Sequence, residues 1–325
     1  MFYRNGGEDL NVYNYLDEIG PAEDRAVALG FFDGVHRGHQ AVIQKALDCR
    51  AEGMRPAVFT YRIQHNIPER KSSFLWINSE EDRVRMMEEL GVLDLVQPTF
   101  EDFCDMSPEE FVEDFLIKRM RAKVIVCGED FRFGRKAAGN VETMKELCKS
   151  YGVRVVIVPP VVLDGDRISS TRIRGYITKG NMNMTWRMLG RPYSLRFPVV
   201  SGNKIGRTLN FPTINQVYPD HFAIPRFGVY VSVTEVDGEY YPSVSNVGVK
   251  PTVGSDRPLS ETYIIGFSGN LYGTRVRVNL CHFIRPEIKF ASLDELRMQI
   301  AKDTLQATYM GPSFMLRMKE QRHLL

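Results

Sequence analysis

Up to about residue 180, short runs of apolar and often β-branched residues alternate with longer stretches whose apolar positions recur at helical spacing. Ala26-Val27-Ala28-Leu29, Ala57-Val58-Phe59-Thr60, Lys123-Val124-Ile125-Val126-Cys127 and Arg154-Val155-Val156-Ile157-Val158 read as strands. They are nearly continuously apolar, as strands are when helices cover both faces of a parallel sheet. Ser107-Pro108-Glu109-Glu110 supplies a capping hydroxyl, a first-turn proline and a capping-box glutamate, and predicts a helix through about Met120.

Beyond Leu189-Gly190-Arg191-Pro192 the periodicity becomes that of strands. Residues 229–236 and 239–244 flank Asp237-Gly238, a hairpin signal. Residues 262–267 and 275–283 read as a second pair around Ser268-Gly269-Asn270, and many short strands with Gly and Pro turns imply a small closed barrel. Ser292-Leu293-Asp294-Glu295 is a capping box that opens a closing helix. The expected fold class is α/β followed by β. Residues 1–188 form a parallel-sheet nucleotide domain, and residues 189–325 a β-barrel with a C-terminal helix.

Composition narrows the function. A chain of 325 residues, 43% hydrophobic and 25% charged, has material for two cores and is neither disordered nor fibrous. The net charge is +2; dividing after Gly190 gives 26 basic and 29 acidic residues, then 16 and 11, hence −3 and +5. Neither half has the cationic field of a duplex binder, so the expected partners are small phosphates and not nucleic acid. Five separated cysteines without a Cys-x-x-Cys pair fit a reducing compartment. The longest apolar run, residues 155–163, contains Pro159-Pro160 and is too short to span a bilayer. The expectation is a cytoplasmic chain without a membrane partner, monomeric or weakly self-associating.

The densest chemistry is Gly30-Phe31-Phe32-Asp33-Gly34-Val35-His36-Arg37-Gly38-His39, directly after the first strand and leading into a helix. Such a turn aims unsatisfied backbone N–H groups at the carboxyl edge of the sheet, where anions bind. Gly34 and Gly38 allow close backbone approach, and His36 and His39 can both donate to phosphate oxygens. Gly128-Glu129-Asp130-Phe131-Arg132-Phe133-Gly134 follows the strand ending at Cys127, so Asp130 reads either as a ligand-orienting carboxylate or as part of a structural turn. Ser169-Ser170-Thr171-Arg172-Ile173-Arg174 offers hydroxyls and guanidinium groups at a helix start. That suits a pyrophosphate, or simply a capped helix with solvated arginines.

The later half has its own cluster. Gly202-Asn203-Lys204-Ile205-Gly206-Arg207 is a glycine loop with cationic side chains. Thr213 and Asn215 share one face if extended, and two neutral oxygens there can help hold a hydrated Mg²⁺; a plain turn or cross-strand contact is the alternative. Glu261, at the start of a strand, reads as a general base for a hydroxyl or as an exposed edge charge.

In their order and spacing, the His-x-Gly-His turn, the Gly-Glu-Asp-Phe-Arg-Phe-Gly loop and the Ser-Ser-Thr-Arg-Ile-Arg segment resemble the adenylyltransferase module of bacterial bifunctional riboflavin kinase/FAD synthetases. Pro212-Thr213-Ile214-Asn215, Asn246-Val247-Gly248-Val249-Lys250-Pro251-Thr252, Glu261-Thr262, Leu271-Tyr272-Gly273 and Ile284-Arg285-Pro286-Glu287 resemble the kinase module of the same family. The resemblance implies a Rossmann-like nucleotidyltransferase domain joined to a riboflavin kinase barrel. It also implies ATP as co-substrate, Mg²⁺, and riboflavin, FMN and FAD as substrates or products.

By the same resemblance His36 and His39 handle ATP phosphates, Asp130 lies at the nucleotide, and Ser170, Thr171 and Arg174 hold the pyrophosphate portion. Thr213 and Asn215 coordinate Mg²⁺, Glu261 is the base, and the loop from Gly202 through Gly206 to Arg207 covers the second ATP. The chain departs from the family pattern at Phe32, at Asn210, at Ile214, at Gly266 and through residues 59–65. The two-step enzyme is the leading expectation. The alternatives are a kinase whose adenylyl site is impaired by the altered 59–65 segment, and a flavin-binding protein without turnover.

Overall fold

The protein is seen in a computed structural model that describes residues 9–62, 75–202, 206, 209–249 and 257–322. Arg207, the loop residues Asn203, Lys204 and Ile205, the Lys250-Pro251-Thr252 motif and Ile63, Gln64 and His65 of the altered segment lie outside the described residues. The chain divides into two compact units, Met1–Phe74 with Ser79–Ser169, and Leu75–Asn78 with Ser170–Leu325.

In the first unit, strands β1 (Asn11–Tyr13), β2 (Arg25–Leu29), β3 (Arg55–Phe59), β4 (Asp94–Val96), β5 (Ala122–Gly128) and β6 (Arg154–Val158) form one sheet in the order β1-β4-β3-β2-β5-β6. Every pairing is parallel. Strand β2 is buried throughout because its two faces feed two cores. Val27 and Leu29 pack with Phe59, Phe111 and Phe115, whereas Ala26 and Ala28 pack with Ile43 and Val42 of helix α1 (Arg37–Asp48) and Met87 of helix α2 (Glu80–Glu89). The chain order reverses at β2, with β3 on one side and β5 on the other. The carboxyl ends of β2 and β5 therefore flank the switch point where open α/β sheets bind ligands.

The capping box at Ser107 forms as expected: Glu110 N–H donates to Ser107 Oγ at 3.1 Å and Ser107 N–H to Glu110 Oε2 at 2.7 Å. The helix that follows is π-helical over Glu110–Arg119, and Met120 N–H reaches back to Phe115 O. Strand β4 has a polar centre of gravity in Asp94, fully buried and paired with Arg25 at 2.8 Å and Arg55 at 3.0 Å.

The second unit holds strands β9 (Tyr193–Leu195), β10 (Val199–Val200), β11 (Thr213–Val217), β12 (Gly228–Val236), β13 (Glu239–Val249), β14 (Pro258–Ile264) and β15 (Arg277–Arg285). The small hairpin β7 (Val162–Leu163) and β8 (Asp166–Arg167) belongs to the first unit. The sheet order β10-β11-β14-β13-β12-β15-β9 is antiparallel throughout. Its two ends belong to one bent segment, which pairs with β15 through β9 and with β11 through β10, so the sheet closes on itself. The Asp237-Gly238 hairpin is present, with both residues at positive φ, +51° and +86°, as a two-residue type I′ turn demands.

The second expected hairpin is not formed. Strand β14 pairs with β13 and β11, while β15 pairs with β12 and β9, so the two flank the β12–β13 hairpin on opposite sides. The connection between them, residues 265–276, is too long for a tight turn and carries the chain across instead.

Inside the barrel, Ser232, Ser245 and Thr262 form a chain of buried hydroxyls at 2.8 and 2.7 Å. Because side chains alternate along a strand, Glu261, Asn246 and Asn215 point to the other face. Helices α4 (Ser170–Thr178) and α5 (Met182–Leu189), which follow α3 (Val141–Lys149), cluster with the second unit. Helix α6 (Leu293–Arg322) opens at the expected capping box, with Glu295 N–H on Ser292 Oγ at 3.2 Å. Its Ala307 and Met318 pack on β12, and Asp303 is held by Arg285 of β15 at 2.7 Å.

Candidate active sites

At the end of β2 the chain turns through three residues at positive φ: Phe32 (+53°), Gly34 (+82°) and Val35 (+37°). Only glycine adopts this region without strain, so Gly34 meets a conformational demand. Phe32 and Val35 tolerate it because burial locks them, each 1% exposed. The Phe32 ring covers Gly30, where a Cβ would meet it at 2.8 Å, and turns its edge to the His39 ring at a centroid distance of 5.3 Å. This is the physical role of one departure from the family pattern.

His36 is the N-cap of α1. Its Nδ1 accepts the His39 backbone N–H at 3.2 Å, and the two imidazoles stack at 3.5 Å and 17°. An accepting Nδ1 carries no proton, so the ring N–H is on Nε2. A Cβ on Gly38 would sit 3.1 Å from the His36 ring, so this glycine makes room for an imidazole as well as for a ligand. The first turn of α1 carries no acidic side chain.

Two residues that sequence reasoning missed buttress this turn. Thr60 Oγ1 donates to Phe31 O at 2.9 Å, and Arg83 Nη1 to the same oxygen at 3.4 Å. Arg83 is 2% exposed, and burial pulls its pKa down from the ordinary value while Glu80 and Asp33 act in the opposite sense. The altered segment is tied into the unit as far as it is described. Tyr61 stacks on Phe31 at 4.6 Å, burial pushing its hydroxyl pKa up to about 12, and Arg62 Nε donates to Gln97 O at 2.9 Å.

The β5 turn emerges beside the β2 turn, since Ala28 and Val126 are partners in the sheet. Asp130 lies there, ion-paired with Arg167 of β8 at 2.7 Å, while Phe133 turns into the core against Phe111. The chain returns to the start of α1 at Ile168, whose carbonyl oxygen is 3.9 Å from the Cβ position of Gly38. Ser170 and Thr171 then open α4, as the helix start in the sequence predicts, and Arg174 Nε donates to Leu75 O at 2.5 Å.

In the second unit, Thr213 and Asn215 are alternate residues of β11 and share one face. Asn215 is the direct partner of Glu261 on β14, and Glu261 of Asn246 on β13, so a carboxylate lies between two amides across three strands. Asn246 was not singled out from sequence for any role; its Nδ2 donates to Glu287 Oε1 at 3.3 Å. The two described glycines of the loop stand close to their surroundings. A Cβ at Gly202 would meet Asn215 Nδ2 at 2.5 Å, and one at Gly206 would run into Phe211 O. Asn210 is at φ +63°, where asparagine is the next best residue to the glycine frequent at this position in the family.

Among the described residues no group of three or more His, Cys, Asp and Glu side chains converges as a metal site. Thr213 and Asn215 offer two neutral side-chain oxygens on one face of β11. No helix among the described residues is long and apolar enough to cross a membrane.

Known proteins share both halves. A family model described as FAD synthetase matches residues 19–172, and one described as riboflavin kinase matches residues 189–310. A bifunctional riboflavin kinase/FMN adenylyltransferase of Listeria monocytogenes is 34% identical over 86% of this chain and 90% of its own length. The proteins of the same name from Haemophilus influenzae and Escherichia coli K12 are 35% and 32% identical, over 86% and 88% of this chain and 91% and 93% of theirs. A solved structure from Streptococcus pneumoniae, described as a macrolide-efflux protein, is 34% identical with a TM-score of 0.81, covering 90% of this chain and 97% of that one.

Proposed function

The chain belongs to the family of bifunctional riboflavin kinase/FMN adenylyltransferases, and on that premise we propose how its residues divide the two reactions. Riboflavin and ATP give FMN and ADP at the second unit, and FMN and a second ATP give FAD and pyrophosphate at the first. The observation that carries this division is that each compact unit has its own constellation, His36 with His39 in one and Asn215 opposite Glu261 in the other.

For the kinase step, Glu261 accepts the proton of the ribityl 5′-hydroxyl as the oxygen attacks the γ-phosphorus of ATP and the ADP oxygen departs. Of the loop assigned to the ATP phosphates, Gly202 and Gly206 are among the described residues. Thr213 and Asn215 would hold Mg²⁺, which when bound neutralises phosphate charge. The described site residues fit that role, since Asn215 lies beside Glu261 without itself adding negative charge.

For the adenylyl step, an FMN phosphate oxygen attacks the α-phosphorus of ATP and pyrophosphate leaves. The nucleophile is already anionic, so donors and positioning replace a base. His36 and His39 donate to the triphosphate at the α1 N-terminus, with Gly34 and Gly38 shaping the turn. Asp130, steered by Arg167, orients the nucleotide. The protein acts in the cytoplasm on small molecules.

The test is to incubate the purified chain with Mg-ATP and either riboflavin or FMN and to separate the flavins by chromatography over time. Riboflavin should yield FMN and then FAD, and FMN should yield FAD directly. FAD formed from FMN with no phosphorylation of riboflavin, or the reverse, would overturn the pairing of activities.

A further inference from the structure

A surface helix packed on one side normally presents a polar outer face. Helix α6 does not. Its inner face is spent on the barrel, with Ala307 and Met318 buried and Met310 and Phe314 packed beside them. Yet Met298, Leu305, Tyr309 and Leu316 are 60%, 71%, 87% and 60% exposed. At 3.6 residues per turn, positions separated by seven, four and seven fall within about 40° of arc, so the four share one face of the helix, with Pro312 between Tyr309 and Leu316. The stripe lies opposite Ala307, which faces the sheet.

The spacing is palindromic. Met298 and Leu316 are equidistant from residue 307, and so are Leu305 and Tyr309. An isologous interface needs a patch that is complementary to itself after a two-fold rotation, and this one is. We propose that α6 is a homodimerisation helix, pairing antiparallel with α6 of a second copy about a two-fold axis near residue 307. Met298 then packs on the second copy's Leu316, and Leu305 on its Tyr309.

Area favours a second copy as the occupant. A specific interface needs about 1,000 Å² in total, or roughly 500 Å² from each side, and four large side chains exposed by three-fifths or more supply an area on that order. Near the axis the flanks are Ala301, Lys302, Pro312 and Ser313, so no like charges oppose there. At the outer ends Lys319 falls beside the second copy's Asp294 and Glu320 beside its Glu295, one attractive and one repulsive pair. Charge therefore leaves the choice to the apolar stripe.

Sedimentation equilibrium of the full chain, with riboflavin kinase assays on the same samples, tests the proposal. The wild type should pass from one to two chain masses as concentration rises, and one chain mass at about 100 μM would overturn it. Met298→Glu and Leu316→Lys should each yield monomer with the kinase rate intact. Mixing the two variants should restore a dimer, because the new charges meet only in the antiparallel register. Dimers that persist in either single variant would show that another surface is used, and a mixture that stays monomeric would refute the register.

Discussion

The imidazole of His36 caps the helix that carries His39, its Nδ1 holding the His39 N–H at 3.2 Å while the rings stack. The pair is thus one unit: the cap fixes the ring tautomer, and the stack fixes the second ring. Replacing His39 by Ala should reduce FAD formation from FMN by about 100- to 1,000-fold, the cost of a lost transition-state donor, and leave riboflavin phosphorylation intact.

Gly38→Ala is the sharper probe of positioning. The new methyl would press on the His36 ring from 3.1 Å, and a shift on the order of 1 Å costs about 100-fold in rate. The adenylyl rate should fall with little change in melting temperature or kinase rate. An unchanged adenylyl rate would mean that the His36 ring has no part in the step.

In the other unit, Glu261→Gln preserves shape and removes the base. The kinase rate should drop by about 100- to 10,000-fold while FMN is still adenylylated. Asn215→Ala should raise the Mg²⁺ concentration needed for half-maximal kinase rate, read by titrating the metal at fixed ATP.

Buried thiols set an alkaline limit. Burial raises the pKa of Cys127 from 9.0 to about 12 and that of Cys148 to about 11. Between those values and 9.0 the unfolded chain loses protons that the folded chain keeps, so ν_U is below ν_N and stability falls as pH rises. Below pH 9 both states are protonated and the contribution is full. Thermal melts should decline from about pH 9 upward, less steeply in Cys148→Ala.

Asp94 is fully buried between Arg25 and Arg55. Asp94→Ala leaves Arg25 without its carboxylate in the interior and should cost about 3–5 kcal/mol, seen as a lower denaturation midpoint.

The parts legible in the sequence are those where local chemistry and tertiary context agree. The β2 and β5 runs, the Ser107 and Ser292 caps and the Asp237-Gly238 turn each carry their own signal, and all form. Strands β1 and β4 were missed because they are three residues long, and in β4 the buried Asp94 breaks the apolar pattern. Pairing between β14 and β15 was misread because adjacency in sequence is only a prior for adjacency in a sheet. In the sites, the turn that carries His36 was legible from its place after a strand, whereas Glu261, expected at a strand start, lies in the middle of β14 with partners on both sides. Arg83 and Asn246 were not legible, since their relevance comes from a carbonyl 52 residues distant and from a strand register.

The most direct measurement is a chromatographic time course of flavins from riboflavin and Mg-ATP, comparing His39→Ala, Glu261→Gln and their equimolar mixture. The account predicts that His39→Ala accumulates FMN, that Glu261→Gln leaves riboflavin untouched yet converts added FMN to FAD, and that the mixture makes FAD from riboflavin. Loss of both activities in either folded variant, or a mixture unable to form FAD, would contradict two separate sites on one chain.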